Sequence, residues 1–130
     1  MWRPQFHQRF RDDTGAAAVE FALIFPILAI MLFGTVEVGA MYNAQLLVTS
    51  GARDAARTMA IDNDTALAKT AAIAAAPGVT LTSSEIAIAP AACAAGTNVS
   101  VTITHTQPLI TGFFGISVPL VGKATRRCNG

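Results

Sequence analysis

Residues 16–42 read AAAVEFALIFPILAIMLFGTVEVGAMY, and this stretch decides the fold. Before Tyr42 its only ionisable side chains are Glu20 and Glu37. As a helix, Ala16 to Val36 extends roughly 31 Å at ~1.5 Å per residue, about the hydrocarbon thickness of a bilayer. The spacing predicts one membrane-spanning helix over 16–42. The composition agrees, with 52% hydrophobic and 13% charged residues where soluble domains carry about 25% charge. Pro26 removes one backbone hydrogen bond and crowds the preceding turn, so a kink or local loosening is expected there. The rest of the 130-residue chain leaves room for one modest domain.

The flanks give the helix a direction. Residues 1–15 are polar, lack apolar periodicity, and hold Arg3, Arg9 and Arg11 against Asp12 and Asp13. They read as a leader, not as part of a fold. After the span the first basic residue is Arg53. Basic residues close to a span stay cytoplasmic, which places the N-terminus inside and residues 43–130 on the exported side. An exported pair of cysteines, Cys93 and Cys128, then predicts a disulfide, with two free thiols as the alternative. Neither cysteine has a second Cys or His at ligand spacing, and no metal or other cofactor is expected.

Beyond Tyr42 the helical pattern continues. Ala44, Leu47, Val48, Gly51, Ala55 and Met59 share one face, while Arg53, Asp54 and Arg57 project elsewhere, with Asp54 in reach of Arg57. IDNDT at 61–65 breaks the pattern. It lacks the glycine and terminal glutamate of an EF-hand, so Asp62 or Asp64 is expected as a helix cap. A short alanine-rich helix over 65–76 stops at Pro77-Gly78. The period then switches to two. Val79 and Leu81, Ile86 and Ile88, and above all Val99, Val101 and Ile103 alternate with small or polar residues. Ile116, Val118 and Leu120 suggest a last strand, which Pro119 marks as an edge. The apolar face of these strands needs a cover, and the amphipathic second half of the long helix supplies it. The fold class is α+β: a long N-terminal helix packed on a small antiparallel sheet. Phe113 and Phe114, between glycines, are expected in the core.

Catalytic chemistry finds little support. His7 and His105 are isolated, and His105 reads as a polar surface residue at a strand end. No G-x-S-x-G or S-x-x-K frames a nucleophile, and no glycine loop cradles a phosphate. Asp54, Asp62, Asp64 and Glu85 are scattered without evident pairing. A net charge of +1 gives no support for nucleic-acid binding, and Arg126 and Arg127 read as a solvated strand end.

The order at the junction is a basic leader, Gly15, Ala16-Ala17-Ala18-Val19, Glu20, then the apolar run. It resembles the class III signal of type IV pilins and pseudopilins. GAAAVEFALIFP resembles more closely the opening of the TadE-like family, pseudopilins of the tight-adherence (Flp/Tad) pilus system. The resemblance continues through Glu37 and SGARDAAR at 50–57, and weakly in Thr125, Arg127 and Cys128.

The resemblance implies a non-enzymatic, pilin-like subunit of the bacterial inner membrane. A prepilin peptidase would cut between Gly15 and Ala16, making Glu20 the fifth residue of the mature chain. The new α-amine and the Glu20 carboxylate would pair, within one subunit or between neighbours. The implied partners are that peptidase, other pilins and pseudopilins, the inner-membrane assembly platform and the lipid bilayer. Small residues such as Ala40, Ala44 and Gly51 would permit close helix approach. Apart from the resemblance, Glu37 near the opposite interface reads as a carboxylate that simply stays hydrated. Two rivals stay open. A secreted protein would be cut after Val38-Gly39-Ala40 to start at Met41, although the apolar run exceeds a typical signal and contains Glu20 and Pro26. A membrane-anchored enzyme or binding domain would show a pocket with convergent polar groups within 77–128.

Overall fold

The computed structural model describes residues 10–112 and 115–129, with backbone alone for 10–14. The expectations for the side chains of Arg3, His7, Arg9 and Arg11, and for Phe113 and Phe114, lie outside the described residues.

Helix α1 spans Phe10–Asp62 and is unbroken at Pro26. It begins inside the segment expected as leader. Its part up to Val36 forms one unit of the chain, and its part from Glu37 belongs to a second unit with everything that follows.

Among the described residues of the first unit the large apolar side chains are exposed all round the helix. Phe21, Leu23, Ile24, Ile27, Leu28 and Ile30 are all more than half exposed. A helix that is apolar all round and buried by nothing has water as an unfavourable solvent over its whole surface. Its length and composition suffice to cross a membrane.

In the second unit α1 becomes one-sided. Ala44, Val48, Ala52, Ala55, Ala56 and Met59 are buried at helical spacing, and Arg53, Asp54 and Arg57 are exposed. Asn63 ends the helix in a left-handed conformation, φ 51°, its N–H donating to the Met59 carbonyl at 3.1 Å. Helix α2, Thr65–Ala74, starts at once. Of the two expected caps it is Asp64 that serves, its Oδ1 accepting from the N–H of Ala66 at 2.8 Å and of Leu67 at 3.1 Å. Ala68 and Ala72 turn inward.

Val79 and Leu81 are buried but form no strand, as their alternation had suggested. A short 3-10 turn at Ser83–Glu85 leads into β1, Ile86–Ala89. Strand β2 is Asn98–Pro108 and β3 is Ser117–Arg127, paired antiparallel in the order β1-β2-β3. Ile103 lies opposite Ile86 on one side and Gly122 on the other, and Val101 opposite Ile88 and Ala124. Strand β3 is regular over its length, and Pro119 is tolerated because β3 is an edge. Val99, Val101 and Ile103 are fully buried with Val48 and Met59 of α1, each worth about 1.5–3 kcal/mol relative to exposure.

Two glycines set the distances between layers. A Cβ at Gly51 would stand 2.8 Å from the Ala72 carbonyl oxygen of α2, and one at Gly122 only 2.6 Å from the Val48 oxygen of α1. Ala44 and Gly51 were expected to open a path for a neighbouring helix. Both are buried in this chain's own domain, because the face that is smallest is the one the sheet and α2 require. Cys93 and Cys128 are joined in a disulfide, their Cα atoms 5.6 Å apart. Asn63 Oδ1 accepts from the Cys93 N–H, and the Cys128 N–H donates to the Thr97 carbonyl at 2.8 Å. The turn after α1, the loop before β2 and the end of β3 are thereby tied at one point.

Candidate functional site

The junction lies on α1 with none of the described residues packed against it. A Cβ at Gly15 would meet no atom within 4 Å, so no packing within the described structure demands glycine there. Ala16 to Glu20 are exposed. On a helix, positions four apart are neighbours on one face, about 6 Å along the axis. An amine created at Ala16 would therefore start within side-chain reach of Glu20. The rings of Phe21 and Phe25 stand 5.6 Å apart in the next turn.

Glu37 departs from expectation. Both carboxylate oxygens are shut off from solvent, and neither has a hydrogen-bond partner among the described residues. A hydrated carboxylate at an interface is therefore not what this geometry shows. An unpaired buried carboxylate is costly.

The second unit contains a polar cluster that no spacing in the sequence announced. His105 is buried, with Nδ1 2.8 Å from Glu85 Oε1 and Nε2 3.2 Å from Gln107 Oε1. The Thr82 N–H donates to Glu85 Oε2 at 2.7 Å and the Thr82 hydroxyl at 2.9 Å. The backbone N–H of Thr82 is the main cause that holds the Glu85 carboxyl below the usual range. Burial works against it, while the Thr82 hydroxyl and His105 add to it. The signal was available, because His105 continues the inward phase of Val99, Val101 and Ile103. Glu85 could not be found as its partner from spacing, since the β1–β2 connection brings the two together.

This cluster fastens the turn before β1 to β2. Both imidazole nitrogens are engaged within it, and no hydroxyl or thiol nucleophile is hydrogen-bonded to the ring among the described residues. The described residues contain no group of three or more His, Cys, Asp or Glu placed to hold a metal. An open cleft of about 200 Å³ near Ala40, Leu47, Pro77 and Pro108 has Asn43 and Gln107 among its lining. Neither is a titratable group.

The arginines also depart from expectation. The predicted Asp54–Arg57 pair does not form, and the only acid–base contact within 4 Å among the described residues is His105–Glu85. Arg126 and Arg127 are exposed at the end of β3 as expected, and they border clefts shared with α1. Arg57 and Arg126 line a common cleft with Arg53.

No curated protein and no solved structure matches the chain. A family does match, over the stretch from the glycine of the junction through the second, one-sided part of α1. Residues 15–57 match the model of the TadE-like protein family, the family that the junction motif resembles.

Proposed function

We propose that this protein is a pilin-like, non-enzymatic subunit for assembly of a Flp/Tad-type pilus. The reading rests on one observation: Gly15, Ala16 and Glu20 stand uncovered at the head of an apolar helix inside the TadE-like segment. The chain inserts as a single pass in the bacterial inner membrane, with the arginine-bearing leader in the cytoplasm. A prepilin peptidase cuts between Gly15 and Ala16. Glycine suits a narrow cleavage pocket, and nothing in the chain's own packing competes for it.

The cut creates an amine one helical turn from Glu20. At ~4 Å and an effective dielectric near 20, such a pair attracts by about 4 kcal/mol before desolvation is set against it. An unpaired carboxylate at mid-membrane costs roughly 2.5–3.5 kcal/mol, less near an interface. Pairing with the amine of its own or a neighbouring subunit thus makes Glu20 a register mark for helix packing. The side of α1 away from the sheet carries Val38, Tyr42 and Leu46, each more than half exposed and four residues apart. That stripe, rather than Ala44 and Gly51, is available to other pilins and pseudopilins and to the assembly platform.

Gly15→Val tests the reading without disturbing the fold, because a side chain there meets open space. The variant should accumulate as uncut precursor and fail to support piliation. Normal processing and piliation would overturn the assignment. Glu20→Ala should be cut normally yet assemble poorly.

A further inference from the structure

The end of β3 comes back against the polar side of α1 and gathers four arginines from two distant parts of the sequence. Arg53 and Arg57 are one turn apart on α1. Arg126 continues the inward-facing row of Leu120, Gly122 and Ala124, past the point where that row is covered. Two open clefts of about 380 and 330 Å³ share Arg57 and Arg126. Arg53 and Asp54 border the first, Arg127 and Ile61 the second. Among the described residues lining the two clefts, four cations thus face one carboxylate, Asp54, and none of the four has an acid within 4 Å.

The frame beneath them is rigid. Ala52, Ala55 and Ala56 are fully buried. The disulfide at Cys128 and the Asn129 N–H, which donates to the Ala60 carbonyl at 3.3 Å, fix the end of β3 against α1. Like charges held together on a fixed frame, without local partners, make a preorganised receptor for anions. All four are arginine, whose planar fork matches a carboxylate in two parallel hydrogen bonds where lysine offers a point charge.

We propose that this cleft docks an acidic segment of a partner protein, whose carboxylates pair with Arg53, Arg57 and Arg126. A peptide can also use the apolar lining from Ala56, Ala60, Ala124 and Ile61, which a free phosphate cannot. A membrane surface fits poorly, because about 16 Å of helix axis separates Arg53 from Tyr42, where the apolar segment ends. The proposal does not depend on whether the leader is cut.

The test uses the full chain in uncharged detergent micelles and a fluorescently labelled hexaglutamate peptide, followed by anisotropy at low salt. Saturable binding is expected. It should fall at least about tenfold in Arg57→Gln/Arg126→Gln, a loss of about 1.4 kcal/mol. Lys123→Gln on β3 should leave it unchanged, and Arg57→Lys/Arg126→Lys should lie between, keeping charge but losing the fork. All three substituted positions are exposed, so equal melting temperatures verify the fold. No saturable binding, or equal binding by the glutamine variant, overturns the proposal. So does displacement of the peptide by millimolar inorganic phosphate, or arginine-dependent binding to phosphatidylglycerol vesicles as tight as to the peptide.

Discussion

Replacing Gly122 by alanine should unfasten β3 from α1. The new Cβ would lie 2.6 Å from the Val48 carbonyl oxygen, 2.8 Å from its carbon and 2.9 Å from Cγ1. Ordinary contact begins near 3.4 Å, so strand and helix must separate by about 0.8 Å. The nearest atoms are backbone in a hydrogen-bonded helix, which cannot swing aside as a flexible side chain can. Overpacking of this kind costs about 1–3 kcal/mol. The same shift strains the Gln45 Nε2 donation to the Val121 carbonyl, 2.8 Å long, worth a further 0.5–1.5 kcal/mol or so. A loss of about 2–4 kcal/mol lowers the melting temperature of a domain this size by at least ~8 °C. Differential scanning calorimetry of the full chain in detergent micelles reads it. Gly39→Ala is the control, since its Cβ meets nothing within 4 Å and helical alanine is favoured over glycine by roughly 0.5–1 kcal/mol. If Gly122→Ala melts within ~2 °C of the parent, the layer spacing described above is wrong.

Two further perturbations test the domain. The disulfide closes a sequence separation of 35 residues, for which chain entropy gives about 3–4 kcal/mol. The Cys93→Ser/Cys128→Ser variant should therefore melt at least ~10 °C lower, and an unchanged melting temperature would contradict that role. Glu85 has its carboxyl held below the ordinary range in the folded state. Its stabilisation is present above about pH 4.3 and is lost as pH falls through the lowered folded value. The melting gap between parent and Glu85→Gln should be widest above ~pH 5 and close below ~pH 4. A gap that widens on acidification would reverse the sign of the argument.

The parts of the fold legible in the sequence are those in which one periodic signal ran for many residues. The uncharged run from Phe21 to Val36 defined the uncovered helix. Val48, Gly51, Ala55 and Met59 defined the face that carries the sheet, and Val99, Val101 and Ile103 the inner face of β2. The break between two helical patterns announced a cap at Asp62 or Asp64, and the structure assigns it to Asp64. The signals that misled were short or served two purposes. Val79 and Leu81 alternate over too few residues to tell a strand from a buried coil. Ala44 and Gly51 were read both as part of the covering face and as a surface for another chain, because small residues permit close approach without saying by which element. His105 was discounted for lack of a neighbour in sequence, although its phase in β2 turned it inward. The arginine cleft joins α1 to the end of β3, a contact that only the tertiary fold creates. At the junction, local order named Gly15, Ala16 and Glu20, and the structure adds that no packing within the described residues accounts for them.

The central claim is that the apolar helix begins, in the working protein, at Ala16. Intact-mass and N-terminal sequence analysis of the chain recovered from the membranes of cells with an active prepilin peptidase tests it most directly. The account predicts a mature N-terminus at Ala16, and at Met1 when the peptidase is absent. A mature N-terminus at Met41, or an unprocessed Met1 with the peptidase present, would contradict it.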